Sequence, residues 1–171
     1  MIEKIGINRL RILIVEDNVH FSTLLCSILR ALGVKDIEEA RDGSEALEVL
    51  KSYCADLVIA DWKMDGIDGV ECVRLIRADD ESPNRFLPII MVTGYTEKKL
   101  IRSALDAGVN DFLAKPISAR SLMSRITSVL SENRPFIDEN TYFGPDRRRR
   151  QIRFGGADRR SREATMIHQE K

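Results

Sequence analysis

Two hydrophobic periods alternate along the first 130 residues of the chain. Three short apolar runs have the length of strands, and they read RILIV (11–15), LVIA (57–60) and PIIMV (88–92). Between these runs, apolar residues recur at three- and four-residue spacing, which is typical of one buried face of a helix. Gly33 and Gly108 follow two of these helical stripes and are expected to end them. The pattern therefore predicts strands that alternate with amphipathic helices.

The complete pattern predicts five strands and five helices in strict alternation. Two further short strands are expected at 37–40 and 111–114. The helical stripes cover residues 21–32, 44–52, 70–76, 100–107 and 122–130. Runs that are apolar on both faces indicate a parallel sheet with helices on both sides. Because crossovers are right-handed, we expect a flavodoxin-like, doubly wound α/β fold whose five-stranded parallel sheet has the order 2-1-3-4-5.

Residues with reactive or metal-binding side chains follow four of the predicted strands. They are Glu16 and Asp17 after the first strand, Asp61 after the third, Thr93 after the fourth, and Lys115 with Pro116 after the fifth. In a parallel sheet, the carboxyl ends of neighbouring strands form the usual ligand-binding edge. Any one of these residues alone is common in turns and helix caps, but their shared position favours a site.

The chemistry of this edge indicates a metal ion and a phosphoryl group. Carboxylates that lie close together repel one another, and a hard divalent cation such as Mg²⁺ relieves that repulsion through oxygen ligands. A carboxylate such as Asp61 can act as the nucleophile in phosphoryl transfer. The ammonium of Lys115 and the hydroxyl of Thr93 could bind phosphoryl oxygens. We therefore predict phosphoryl chemistry that depends on Mg²⁺ at the strand ends.

Three stretches of the sequence resemble the receiver domain of bacterial response regulators, in particular the stand-alone, CheY-like receivers. They are ILIVEDN (12–18), DWKMDGIDG (61–69) and DFLAKP (111–116). The resemblance extends over residues 9–130 and implies a response regulator of a two-component phosphorelay. It implies that Asp61 takes a phosphoryl group from a sensor histidine kinase or a histidine phosphotransfer protein. Such a protein is not an enzyme in the usual sense, because it catalyses only its own phosphorylation and dephosphorylation.

The resemblance also implies a role for each residue of the site. The implied ligands of Mg²⁺ are the carboxylates of Glu16, Asp17 and Asp61 and the backbone carbonyl of Lys63. Thr93 and Lys115 would bind the phosphoryl oxygens, and Thr93 would form a switch pair with Phe112. The peptide bond before Pro116 is expected to be cis. Phosphorylation would then change protein–protein binding through the face formed by the fourth helix, the fifth strand and the fifth helix.

Two alternatives to a phosphorylation switch can be weighed on the same residues. Phosphatases of the haloacid dehalogenase type also place a nucleophilic aspartate after a strand. They need a second aspartate two residues later as the acid–base, and Lys63 occupies that position here. A scaffold that is never phosphorylated is the other alternative, and the intact acidic site argues against it.

Composition indicates a protein of a reducing compartment. No apolar run approaches the roughly 20 residues that a membrane span needs, and Met1 to Leu10 lacks the pattern of a signal peptide. Cys26, Cys54 and Cys72 are isolated and show no metal-ligand spacing, which is typical of reduced thiols. We therefore expect a cytoplasmic protein that does not bind membranes.

The sequence changes character near Ser131. Residues 1–130 carry a net charge of −3, and residues 131–171 carry a net charge of +3. Eight arginines lie within residues 144–162. Because little apolar periodicity remains, we expect residues 131–171 to form an irregular, arginine-rich extension of low hydrophobicity behind a receiver domain at 9–130.

This extension is a second candidate interaction region. Its predicted contact residues are Phe136, Ile137, Tyr142, Phe143, Arg147, Arg148, Arg149 and Arg150. We expect the apolar residues to dock on a protein surface. That surface is either the face between the chain's own fourth and fifth helices, a downstream protein target, or a second copy in a homodimer. The arginines would then reach acidic groups by bidentate contacts. A nucleic-acid-binding regulator, in which the arginines neutralise phosphates, is the competing alternative.

Overall fold

The computed structural model describes residues 6–78, 84–94, 98–131, 134–139, 142–146 and 165–167. Its first strands are β1 (Arg11–Val15), β2 (Asp36–Ala40), β3 (Leu57–Asp61), β4 (Ile89–Thr93) and β5 (Asp111–Ala114). The helices are α1 (Val19–Ala31), α2 (Gly43–Leu50), α3 (Gly69–Ala78), α4 (Lys98–Ala107) and α5 (Ala119–Ser131). None of the helices in the described part of the chain combines the length and hydrophobicity that a bilayer crossing requires.

These five strands form one parallel sheet in the order β2-β1-β3-β4-β5, which confirms the predicted flavodoxin-like topology. The register places Asp61 opposite Val92 and Thr93 opposite Ala114. Strands β1, β3, β4 and β5 therefore end side by side at one edge of the sheet, which we name the carboxyl edge. The opposite edge, where the strands begin, is named the amino edge.

Apolar side chains cover both faces of this sheet. Helices α2, α3 and α4 pack on one face, where Leu13, Val58 and Met91 belong to a buried cluster. Helices α1 and α5 pack on the other face, over a cluster that includes Ile12 and Ile59. Strands β3 and β4 are buried along their whole length. Their continuous apolar runs follow from this double coverage, because a strand covered on both faces needs no polar alternation.

Short polar side chains and glycines set the limits of several helices. The Oδ1 of Asn18 accepts a hydrogen bond from the Phe21 N–H at 3.0 Å, which caps the first turn of α1. The Oδ1 of Asp42 accepts one from the Glu45 N–H at 2.9 Å at the start of α2. Each bond satisfies an N–H that has no partner within its own helix. After α1, Gly33 adopts a φ of +102°, which glycine reaches without steric conflict.

The extension contains three short strands where the sequence analysis expected irregular chain. Strands β6 (Phe136–Glu139) and β7 (Tyr142–Pro145) form an antiparallel hairpin, and β8 (Thr165–Ile167) pairs antiparallel with the other side of β6. The prediction of an irregular extension is therefore wrong for these residues. Four-residue strands interrupted by glycine and proline carry too little periodicity to be recognised in a sequence. The predicted contact residues Arg147, Arg148, Arg149 and Arg150 lie outside the described residues.

The hairpin packs against the amino edge of the α/β domain, residues 6–131. The ring centroids of Phe136 and Phe143 lie 4.9 and 5.3 Å from that of Phe86. The backbone of the hairpin also approaches that of the α/β domain closely, since a Cβ added to Gly144 would lie 2.8 Å from the Cα of Gly108. Strand β7 contacts both α3 and α4. These contacts correct the expectation of docking between the fourth and fifth helices, because the hairpin instead meets the C-terminal ends of α3 and α4.

A buried arginine lies beneath the hairpin. Arg77, near the end of α3, is 2% exposed. Its guanidinium donates hydrogen bonds to the backbone carbonyls of Gly108 (3.2 Å), Arg85 (2.7 Å) and Leu87 (2.8 Å) and to the side-chain oxygen of Asn110 (3.1 Å). The Cζ atom of Arg77 lies 5.3 Å from the ring centroid of Phe136. Desolvation lowers the pKa of Arg77 to about 9, so the group is still protonated at neutral pH.

Candidate functional site

Asp61 ends β3 and lies in the middle of the carboxyl edge. The residue is buried, and its carboxylate is held by short-range contacts. The Lys63 N–H donates to Asp61 Oδ2 at 3.3 Å, and the Trp62 N–H donates to the Val92 carbonyl at 2.9 Å. The second bond extends the pairing with β4 by one residue beyond the strand. The rigid strand end therefore presents one carboxylate in a defined position.

The ammonium of Lys115 bridges two carboxylates of this edge. Its Nζ lies 2.8 Å from Asp61 Oδ1 and 3.3 Å from Glu16 Oε2. The Lys115 side chain is 28% exposed, whereas that of Glu16 is 2% exposed. The Lys115 N–H donates to the Thr93 carbonyl at 2.8 Å, and the peptide bond between Lys115 and Pro116 is cis. The ammonium of Lys115 thus reaches the predicted phosphoacceptor from the end of β5.

Glu16 experiences the repulsion that the sequence analysis anticipated. Burial raises the pKa of the Glu16 carboxyl above its ordinary value, and the negative charge of Asp61 raises it further. Lys115 acts in the opposite direction, and so does the Asn18 N–H, which donates to Glu16 Oε1 at 3.2 Å. Two neighbouring carboxylates in a partly dehydrated site are stable as anions only when a cation accompanies them.

The donor set of this edge fits a magnesium ion. Asp17 is exposed beside the site, and its Oδ2 accepts a hydrogen bond from the Asp65 N–H at 3.2 Å. Within the described ranges, no three His, Cys, Asp or Glu side chains converge as metal ligands. The Lys115 ammonium instead fills the space between Glu16 and Asp61. The oxygens available are carboxylates and a backbone carbonyl, the ligands that Mg²⁺ prefers.

The two residues of the predicted switch pair lie on neighbouring strands. Thr93 ends β4 and is 4% exposed. Phe112 is half-buried in β5 and packs against the core on the side of α2, α3 and α4. The register pairs Met91 with Phe112 and Thr93 with Ala114. Thr93 and Phe112 are therefore diagonal neighbours on one face of the sheet, within the reach of an aromatic side chain.

Gly69 is a residue of the site whose role the sequence analysis missed. A Cβ at this position would lie 2.0 Å from the carbonyl oxygen of Asp61. The Gly69 N–H also donates to the Trp62 carbonyl at 3.1 Å, so the start of α3 folds back onto the end of β3. Gly66, with a φ of +79°, makes the turn between them. The available signal was a glycine directly before the helical stripe predicted at 70–76.

Comparison with known proteins identifies the chain's relatives. Residues 12–127 match the response regulator receiver domain. The chain belongs to this family. It is 36% identical over 120 residues to chemotaxis protein CheY-3 of Vibrio cholerae, a match that covers 70% of this chain and 91% of that protein. The receiver therefore accounts for the α/β domain, and the extension lies outside the match.

Solved receiver structures have the same fold as this receiver. The receiver domain of a sensor histidine kinase from Pseudomonas aeruginosa, solved with a magnesium ion in its active-site cleft, aligns with a TM-score of 0.65 at 30% identity. That alignment covers 72% of this chain and 98% of the other. Chemotaxis protein CheY4 of Vibrio cholerae aligns with a TM-score of 0.65 at 27% identity, over 70% and 98% of the two chains.

The structure separates the predicted site residues into two groups. The carboxyl edge of the receiver holds Glu16, Asp17, Asp61, Lys63, Thr93, Lys115 and Pro116, and Phe112 lies within the adjoining strand β5. The described contact residues of the extension lie at the opposite edge. There Phe136 and Phe143 contact Phe86, and the Tyr142 hydroxyl donates to the Pro145 carbonyl at 2.8 Å. The extension therefore does not contribute these side chains to the acidic site.

Proposed function

We propose that this receiver is a phosphorylation switch whose phosphoacceptor is Asp61. One observation carries the proposal, namely the 2.8 Å contact between Lys115 Nζ and Asp61 Oδ1 at the end of a buried strand. A carboxylate beside a fixed cation is set up to receive a group that brings additional negative charge. The donor would be a sensor histidine kinase or a histidine phosphotransfer protein, which is supported by the likeness to a histidine kinase receiver.

In the proposed transfer, one bond forms at phosphorus and one breaks. A carboxylate oxygen of Asp61 attacks the phosphorus atom, and the bond from phosphorus to the donor histidine nitrogen breaks. The nitrogen keeps the electron pair of that bond, and the product is an acyl phosphate on Asp61. Lys115 neutralises one phosphoryl oxygen as a point charge, and the Thr93 hydroxyl donates a hydrogen bond to another.

Mg²⁺ is the proposed cofactor of this reaction. The carboxylates of Glu16, Asp17 and Asp61 and the backbone carbonyl of Lys63 would hold it. When bound, it neutralises charge on the carboxylates and on the phosphoryl oxygens. Two observations support its presence: burial and the nearby Asp61 charge, which together raise the pKa of Glu16, and the magnesium ion in the cleft of the Pseudomonas receiver.

The proposed output is a change in protein–protein binding at the face formed by α4, β5 and α5. Phosphorylation would draw the Thr93 hydroxyl toward the phosphoryl group, and Phe112 would fill the space that it leaves. This is a shift between two populations, and its size depends on contacts that differ between them. Thr93→Ala should therefore retain part of the phosphoryl uptake and lose the response of the α4–β5–α5 face, measured by amide hydrogen exchange with and without phosphodonor. A normal exchange response in this variant would contradict the switch pair.

The two parts of the chain have separate proposed roles. Residues 9–130 would carry the receiver chemistry, and residues 131–171 would add contacts with a downstream protein target or with a second copy of the chain. The opposite net charges of the two parts support such contacts. A cytoplasmic location follows from the partners, because histidine kinases deliver phosphoryl groups to receivers inside the cell.

Acetyl phosphate with Mg²⁺ tests the phosphoacceptor directly. Wild-type protein should gain the mass of one phosphoryl group, and the fluorescence of Trp62, the only tryptophan, should change. Asp61→Asn should gain no mass. Asp65→Asn is the matched control, because it removes an exposed carboxylate from the same loop and should be labelled like wild type. Labelling of Asp61→Asn at the wild-type rate would reject the assignment.

A further inference from the structure

The ammonium of Lys115 has a third neighbour besides the two carboxylates. Its Nζ lies 3.9 Å from the ring centroid of Phe21, a half-buried residue in the first turn of α1. This distance is well within the range of an attractive cation–π contact. This contact could not be predicted from the sequence, because Phe21 is one of several apolar residues on the buried face of the helix.

A closed chain of contacts fixes the ring in this place. Glu16 Oε1 accepts a hydrogen bond from the Asn18 N–H at 3.2 Å. Asn18 Oδ1 in turn accepts one from the Phe21 N–H at 3.0 Å, and this bond is the cap of α1. The Phe21 ring contacts Lys115 Nζ, which donates a hydrogen bond to Glu16 Oε2 at 3.3 Å and so closes the chain of contacts. The start of α1 is thereby built into the site.

We propose that Phe21 is a positioning residue for Lys115, an inference that rests on the proposed phosphorylation of Asp61. An ammonium offers three donors, and here the carboxylates take up to two of them. When Asp61 becomes an acyl phosphate, its own carboxylate charge disappears and Lys115 must turn to a phosphoryl oxygen. Of the two neighbours that this change leaves intact, Glu16 and Phe21, the aromatic ring is the uncharged one. It attracts the ammonium without offering an oxygen that would compete with the phosphoryl group.

A double-mutant cycle with beryllofluoride and Mg²⁺, followed by Trp62 fluorescence, tests the proposal. Phe21→Leu keeps an apolar side chain but loses the ring face, and its affinity for beryllofluoride should fall about two- to fivefold. Phe21→Tyr should restore the wild-type affinity. In a Lys115→Met background, Phe21→Leu should cause no further loss. An equal loss in both backgrounds would show that Phe21 acts only through packing, and would overturn the proposal.

A spectroscopic measurement separates this inference from the proposed function. In wild type, the ε-methylene protons of Lys115 should show an upfield ring-current shift, and that shift should vanish in Phe21→Leu. This signal needs neither phosphodonor nor metal. If the shift is present but beryllofluoride does not bind to wild type, the phosphorylation proposal fails, and the positioning role fails with it. If the shift is absent while beryllofluoride binds, only the positioning role fails.

Discussion

Two cations lie at opposite edges of the sheet and are held by different partners. At the carboxyl edge, Lys115 contacts the carboxylates of Asp61 and Glu16 and is 28% exposed. At the amino edge, Arg77 is 2% exposed and binds backbone carbonyls and the amide oxygen of Asn110. Carboxylates can exchange an ammonium for a metal ion or release it to a phosphate. Backbone carbonyls beneath a hairpin have no such exchange partner, so the first edge suits a switch and the second suits a clamp.

The largest effect is expected when Arg77, the buried cation of the amino edge, is removed. Arg77→Met should leave the buried carbonyls of Gly108 and Leu87 without this donor and lower the free energy of unfolding by about 4 kcal/mol. Arg74→Met, on the same helix, removes an exposed arginine that pairs, within the described part of the chain, with Glu71 at 3.3 Å, and it should change stability by less than about 0.5 kcal/mol. Urea denaturation followed by Trp62 fluorescence measures both.

If the carboxyl edge and the amino edge are independent, the folded fraction of Arg77→Met should still take up phosphate. Mass gain with acetyl phosphate, measured at low temperature where the variant is folded, should match wild type. Loss of phosphoryl uptake in protein that is demonstrably folded would mean that the two edges are coupled. The separation into switch and clamp would then be wrong.

A smaller effect is expected where the backbone meets Asp61. Gly69→Ala would place a Cβ 2.0 Å from the Asp61 carbonyl oxygen, so the loop must move and the protein should lose about 2–3 kcal/mol of stability. Because the same movement displaces the phosphoacceptor, labelling by acetyl phosphate should slow at least tenfold. Gly94→Ala is the control, since a Cβ there meets none of the described residues within 4 Å and its φ is not positive. Similar rates for the two variants would contradict the role of Gly69.

The smallest expected effect is a stabilisation by Mg²⁺ that acts at the carboxyl edge alone. A ligand that binds only the folded state at ten times its Kd adds about 1.4 kcal/mol of stability. Wild type and Arg77→Met should both gain this increment in thermal unfolding experiments. Asp17→Asn should not, because it removes a full charge from the proposed ligands. A gain in Asp17→Asn equal to that of wild type would remove Asp17 from the site.

Most of the receiver fold could be predicted from the sequence, whereas little of the fold of the extension could. This difference has physical causes. Strands 11–15 and 111–114 were predicted with the limits that the structure shows. For 11–15 the reason is that a strand covered on both faces has a nearly continuous apolar run. The order of the sheet followed from handedness and alternation. Asp61 and Lys115 were predictable because the topology alone brings strand ends to one edge. These arguments need no knowledge of individual side-chain contacts.

The missed features depend on contacts between residues far apart in the chain. Arg77 resembles any surface arginine of a helix, and nothing local shows that β7 will cover it. The 2.0 Å approach at Gly69 depends on how the loop folds back, which periodicity does not describe. The hairpin itself was not predicted, and its apolar residues were only expected to dock on a protein surface. Strands of four residues are too short to show a detectable alternation of apolar and polar positions. Docking at the amino edge depends on Phe86, a residue in a connection with no strand or helix pattern of its own.

The three-stranded sheet of the extension changes the topology of the arginine-rich segment. Residues 147–164 begin after β7 and end at β8, and these two strands flank β6. Strands β7 and β8 are two strand spacings apart, about 10 Å. The chain enters the segment from β7 and leaves it into β8, and both of these flanking strands pair with β6. The entropy of closing a loop rises only slowly with its length, so insertions there should be tolerated. A single proteolytic cut within 147–164 would give a nicked protein whose two pieces stay joined through β6.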